Sequence, residues 1–382
     1  KEKDGQGVEY IETAAFMECP NLTTVQMANT VKEMEGQVFY YCDSLMNINI
    51  STQLKKIPSY TFLRCGFEEL ELPEGINEIG TSAFAENHNL TTEENENLAL
   101  ENGILLCNNK INNRTEIVTI LEEAIDTETN TFIVPDSVTY LSEGALNKYK
   151  NITTVQIPAS VQIIAPLFIG KEITNVIIVN PKYEVIGNAV YTKGTENEAV
   201  TMVRYFGNEE IVNVKTGTEI IGESCFRDKN LGQIILPETL EEIQQQAFLY
   251  CNNLKRLLLG EKVKTFSAMS IYGSGIEEII LDENHPYFRI EEGAICNGEK
   301  VSALYNKEGT VFISPLKMIG KIENYEIPSS VVEGVEVKKI ASQAFHNQHK
   351  MKNIKIPDTV EIIESSFNYC SSLEKIEIPS SV

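Results

Sequence analysis

One phrase of 22 to 23 residues returns along almost the whole chain. "ITTVQIPASV" starts at Ile152, "LGQIILPETL" at Leu231 and "MKNIKIPDTV" at Met351, and the chain ends on "CSSLEKIEIPSSV" from Cys370. Aligned on a large apolar anchor, the copies place Phe16, Phe39, Phe62, Phe84, Leu146, Ile169, Phe226, Phe248, Ile271, Phe345 and Phe367 in one position. Most anchors are 22 or 23 residues apart, and three gaps are longer, at 62, 57 and 74. An apolar residue stands five before most anchors, as Met34, Ile57, Ile79, Ile221, Ile243 and Ile340 do. Another follows five or six after, as Leu22, Leu45, Leu254 and Leu373 do. An I-x-I pair closes the unit, with Pro73, Pro158, Pro237, Pro357 or Pro379 often behind it.

Self-similarity at this period is the mark of a stacked array. The I-x-I pair reads as a short strand with its apolar residues turned inward, since side chains alternate along a strand. Proline ends the strand because it cannot donate to a ladder. One coil cannot bury its own anchor; stacked coils bury theirs against each other and share a parallel sheet. The expected fold is therefore an α/β, β-rich solenoid of about 14 coils. Strands line one face, and irregular turns and short helices line the other. Residues 1–382 form a single repeat domain in this reading. Each long gap is expected to hold an extra coil and an inserted β-hairpin projecting from the edge, near 97–125, 180–208 and 283–322. "ENGILLCNN", "IGNAVYTKG" and "EEGAICNGE" mark these insertions. The chain opens without Met and stops in mid-phrase, which reads as a fragment of a longer protein. Such a stop is expected to leave an open strand edge, able to pair edge to edge in a dimer.

The net charge of -23 repels phosphate backbones and anionic lipid, which argues against nucleic acid and membrane surfaces as partners. No apolar run approaches the length of a membrane span, so no membrane insertion is expected in this segment. Five of the eight cysteines (Cys19, Cys42, Cys65, Cys251 and Cys370) stand three after an anchor. Fixed phase and parallel Cβ vectors predict a ladder of buried thiols rather than disulfides. His346 and His349 form H-x-x-H without a supporting Glu or Cys, which is poor zinc chemistry. His88 and His285 read as surface residues. Glu93, Glu94, Glu96, Glu101, Glu116, Glu122, Glu123, Asp126 and Glu128, set against Lys110 and Arg114, read as a solvated acidic face. No catalytic motif, cofactor-binding loop or metal-ligand spacing emerges, so neither an enzyme nor a cofactor is expected.

"IGTSAFAENHNL", "IQQQAFLYCNNLKRLLL" and "IPDTVEIIESSFNYCSSLEKIEIP" resemble the BspA-type leucine-rich repeat family. The resemblance covers nearly the whole chain and implies a leucine-rich-repeat right-handed superhelix. It also implies a secreted or cell-surface protein, mainly of host-associated bacteria, that binds host extracellular or other cell-surface proteins in the manner of an adhesin. The family carries no shared catalytic residues. The pattern departs at Leu146 and Ile169, where Phe is lost, and in "FSAMSIYGSGI", which lacks the C-x-x-L.

The sheet face is where recognition is expected. The residue between the two inward positions points outward, as does the one before the pair. These are Asn175 and Ile177, Gln233 and Ile235, Arg256 and Leu258, and Glu278 and Ile280 in the middle coils. At both ends of the chain the outer positions are polar, as Thr24 and Gln26 or Lys375 and Glu377. An apolar outer row suits protein binding. Two other readings stay open: a hairpin covers the row, or the residues reflect β-propensity alone. A structural spacer or stalk that presents another domain is the alternative to a binding protein.

Overall fold

A computed structural model of the chain describes residues 7–76, 78–80, 82–87, 98–109, 113–121, 124–146, 149–315 and 322–382. His88, Glu93, Glu94, Glu96, Lys110, Glu122 and Glu123 lie outside them. The chain is a β-solenoid of about 15 turns, against about 14 expected. It divides into two compact units, 1–188 and 189–382, and the division falls inside the second expected insertion.

Each regular coil of either unit carries two strands. The I-x-I segment forms the first, and neighbouring copies pair in parallel without slippage. Thr24–Gln26 pairs with Asn47–Asn49, and Thr131–Ile133 pairs with Thr154–Ile157, which pairs with Asn175–Ile178. In the second unit Asn324–Glu326, Asn353–Lys355 and Lys375–Glu377 do the same. The residue five before the anchor lies in a second, two-residue parallel strand: Lys56–Ile57 on Glu78–Ile79, and Ile220–Ile221 on Glu242–Ile243. Between the two strands the proline carbonyl accepts a hydrogen bond from the residue three on. Val138 donates to Pro135 (3.0 Å), Leu240 to Pro237 (3.1 Å) and Val360 to Pro357 (3.1 Å). Val138, Leu240 and Val360 are buried, so the turn that ends the strand also drops an apolar side chain into the core.

The far side is built from turns, not the short helices expected. The one complete helix among the described residues is a four-residue 3-10 segment, Ala268–Ile271. The anchor N–H instead reaches the next coil: Phe39 donates to Thr61, Phe62 to Ala83, Phe226 to Ala247 and Phe345 to Ser366, at 2.8–2.9 Å. To present that N–H, the residues two before and two after the anchor adopt left-handed φ. Tyr60 (58°) and Arg64 (54°) flank Phe62, and Gln246 (55°) and Tyr250 (59°) flank Phe248. Such values cost a non-glycine residue of the order of 1 kcal/mol each, and the third coil-to-coil ladder they permit offsets that.

The anchors form columns. Phe16, Phe39, Phe62 and Phe84 stack with ring centroids 5.4, 5.6 and 5.7 Å apart. In the second unit Phe226 stacks on Phe248 at 5.4 Å, and Phe345 on Phe367 at 5.4 Å. Where Phe is lost, Leu146 and Ile169 still pair in parallel. The thiols follow the column. Cys42, Cys65, Cys251 and Cys370 each donate from Sγ to the carbonyl of the preceding anchor, at 3.0–3.2 Å. Burial pushes the Cys42, Cys65 and Cys251 thiols up, so they stay protonated donors.

The segments read as projecting hairpins are woven into the coils. Ala189–Thr192 pairs antiparallel with Thr201–Tyr205, which pairs parallel with Ile220–Ile221. Phe288–Cys296 pairs antiparallel with Glu299–Asn306, and Val311–Pro315 continues in parallel onto Lys339–Ile340. These strands also supply rungs. Tyr205 sits 5.3 Å from Phe226, and Phe312 stacks on Phe345 at 5.3 Å. The phenylalanine column therefore passes through the insertions on borrowed rings.

Candidate functional site

In the second unit the outward positions lie beside one another on the sheet face. Val212, Ile234, Leu257 and Ile279 point inward and are buried. The alternate positions face solvent: Ile235 is 47%, Leu258 60% and Ile280 39% exposed. Leu258 and Ile280 are register partners, as are Arg256 and Glu278, so the two columns run side by side. Gln233 and Arg256 are exposed, and Glu278 is half-buried. Arg256 Nε lies 2.8 Å from a Glu278 carboxylate oxygen. Both groups are open to water, so this pair holds register more than it adds stability. Gln233, Ile235, Pro237, Arg256, Leu258 and Ile280 line a shallow concavity of about 580 Å³. Among the described residues no hairpin covers this row. Asn213 faces Ile235 and ends the apolar column on that side, while Ile211, paired with Gln233, adds an exposed aliphatic group beside it.

Asn175 and Ile177 belong to the first unit and have their own neighbours. Ile177 pairs with Gln156, and Gln156 with Ile133. Ile133 is 61% and Val179 73% exposed. With Pro135, Pro158 and Ile177 they line a concavity of about 730 Å³, rimmed by Glu101 and Asp136. Ile133 was legible as the outer residue of "TFIVP"; Val179 lies past its strand, where alternation gives no signal. The sheet face near the end of the chain is polar instead. Asn353 donates to Asn324 (2.8 Å), and Lys355 pairs with Glu326 (2.5 Å).

Two residues read as solvent-facing are buried. Glu116 sits in the core of the first unit, and its Oε2 accepts the Ser82 N–H at 3.0 Å. Burial pushes its carboxyl up to about 7, against the Ser82 hydrogen bond and the Arg114 charge. His285 is fully buried. Its Nε2 faces the Gly260 carbonyl at 3.0 Å, and its Nδ1 accepts the Tyr287 and Phe288 N–H groups. Those partners require a neutral ring with the proton on Nε2, and burial lowers its pKa accordingly. It closes a turn. In the second unit Arg204 and Lys229 are buried cations. Arg204 donates to the Ser224 carbonyl (2.7 Å), and burial, with the Arg204 charge, pushes Lys229 down to about 8. Among the described residues no three His, Cys, Asp or Glu side chains are placed to share a metal ion, and no helix is long and apolar enough to cross a membrane.

The BspA type leucine rich repeat region matches in 6 copies, over residues 5–101, 125–209, 219–333 and 316–382. The chain belongs to the BspA-type leucine-rich repeat family. Similar solved structures include a leucine rich cell surface protein of Faecalibacterium prausnitzii, 17% identical over 96% of this chain and 82% of that one, with a TM-score of 0.33. A leucine-rich repeat protein of Eubacterium ventriosum is 14% identical over 99% and 78% of the two chains (TM-score 0.36). The pneumococcal vaccine antigen PcpA is 16% identical over 89% and 74% (TM-score 0.34). Among curated proteins no match is found.

Proposed function

We propose that this chain is a non-catalytic, adhesin-like binding module of a secreted or cell-surface protein, and that it recognises a protein partner through its sheet face. Membership of the family supports the surface placement. The observation that carries the binding reading is the exposed aliphatic column of Ile235, Leu258 and Ile280 over its concavity, bordered by Gln233, Arg256 and Glu278. Burying each such side chain against a partner is worth roughly 1.5–3 kcal/mol, and an apolar centre with a polar rim is the anatomy of a hot spot. The first unit adds Asn175 and Ile177, beside Ile133 and Val179, as a second contact region. The test is a biosensor panel of purified extracellular-matrix and epithelial surface proteins, run with wild type and with Leu258→Asp, Ile280→Asp. A partner held by wild type and lost by the folded double variant supports the reading. Equal binding by both refutes it. No partner at all, with both proteins folded, favours a structural spacer that presents another domain.

A further inference from the structure

The turn side of the second unit carries a row of aromatic rings that the phenylalanine column does not use. Tyr250 and Tyr272 lie 6.4 Å apart between centroids, Tyr272 and His346 4.9 Å, and His346 and Tyr369 5.3 Å. The last two contacts are edge to face, at 87° and 75°. Phe248, Phe345 and Phe367 fill the core beneath, so the row is a second aromatic layer outside it. Tyr250 and Tyr369 are exposed. Both take left-handed φ (59° and 60°), where Gly or Asn would sit at lower cost. Gly273 is left-handed too (62°), and a Cβ there would stand 2.9 Å from Tyr250 Cε1. The "YGSGI" turn, with no side chain at Gly273, is what lets the two tyrosines meet. His346 Nδ1 is buried with no hydrogen-bond partner. Neighbouring turn positions hold exposed neutral groups, Asn252, Asn253, Asn368 and Ser371, in a chain with 55 acidic residues.

We propose that this row is a glycan-binding track for an uncharged, linear oligosaccharide. Aromatic faces accept the apolar C–H face of a sugar ring. The exposed amides of Asn252, Asn253 and Asn368 both donate and accept, as sugar hydroxyls do. No arginine fork stands among these positions, and Lys255, which donates to the Asn252 carbonyl (3.0 Å), pairs with Glu277 (3.8 Å), so a carboxylated or sulfated sugar is not favoured there. The row is one ring wide, which fits a single chain; a protein partner needs about 800 Å² on its side. The track shares no residue with the sheet-face column, so either can fail without the other.

The test is saturation-transfer NMR of the whole chain with hexamers of glucose, mannose, xylose and N-acetylglucosamine, followed by affinity titration. Transfer to at least one neutral hexamer is expected. Tyr369→Ala and Tyr250→Ala should each weaken it about tenfold, Tyr369→Phe should keep most of it, and Leu258→Asp, Ile280→Asp should leave it unchanged. No transfer to any neutral hexamer, or equal affinity in the folded Tyr→Ala variants, overturns the proposal.

Discussion

The turn edge and the sheet face of the same coils obey opposite rules. Along the turn edge the chemistry stays large and apolar: Phe16, Phe39, Phe62 and Phe84 stack in succession, Leu146, Ile169 and Ile271 take the same buried position where Phe is lost, and an insertion that interrupts the repeat still delivers Tyr205 or Phe312 to the column. Along the sheet face the inward residues are uniformly apolar. The outward ones run from Asn47 and Asn49 through Leu258 and Ile280 to Lys375 and Glu377. The edge is fixed because each ring fills space that its neighbours cannot, in an interior as densely packed as a crystal. The outer face is free because the strand ladder is made by the backbone alone. Folding constrains the first set of positions and leaves the second open to recognition.

The largest effect should come from breaking the edge. Phe62 is buried and stacks on both Phe39 and Phe84. Phe62→Ala should cost about 3–5 kcal/mol in urea unfolding, and a loss below about 1 kcal/mol would mean the column is not what holds the coils.

Next comes Glu116. Its folded pKa of about 7 lies above the ordinary 4.5, so folding favours the protonated acid. Its contribution is therefore fully present below the ordinary value and is lost as pH rises through about 7, by up to roughly 3 kcal/mol. Glu116→Gln should flatten that part of the stability profile; an unchanged slope would place the titration elsewhere.

The thiols give a kinetic test. Cys42, Cys65, Cys225 and Cys251 are buried, while Cys19 and Cys370 are half-buried. In native protein, alkylation should reach Cys19 and Cys370 first, with the buried set reacting only on unfolding; mass mapping of the labelled sites decides it. Smallest of all should be Leu258→Ala on the outer face, within about 0.5 kcal/mol of wild type in the same urea assay.

This contrast also explains what could be read in advance. Anchors, strand pairs and prolines repeat at a fixed period, so the coil and its inward face were legible, and Ile235, Leu258 and Ile280 fell on the outer face by alternation. The rungs at Tyr205 and Phe312 were not, because each lies inside an insertion that breaks the period. Nor were the left-handed turns: Tyr60, Arg64 and Leu167 have no composition that announces φ above zero. Glu116 and His285 were misplaced because their burial comes from strands and turns packed by the insertions, and charge alone argued for solvent. That the apolar row is exposed among the described residues depended on how the inserted strands pair, which their own residues leave open.

The most direct test of the account is a paired titration of one captured matrix or cell-surface protein against wild type and the Leu258→Asp, Ile280→Asp variant, with thermal melts of both. The account predicts matching melts and binding weakened at least about tenfold in the variant. Matching melts with equal affinities would contradict it and move recognition off the sheet face.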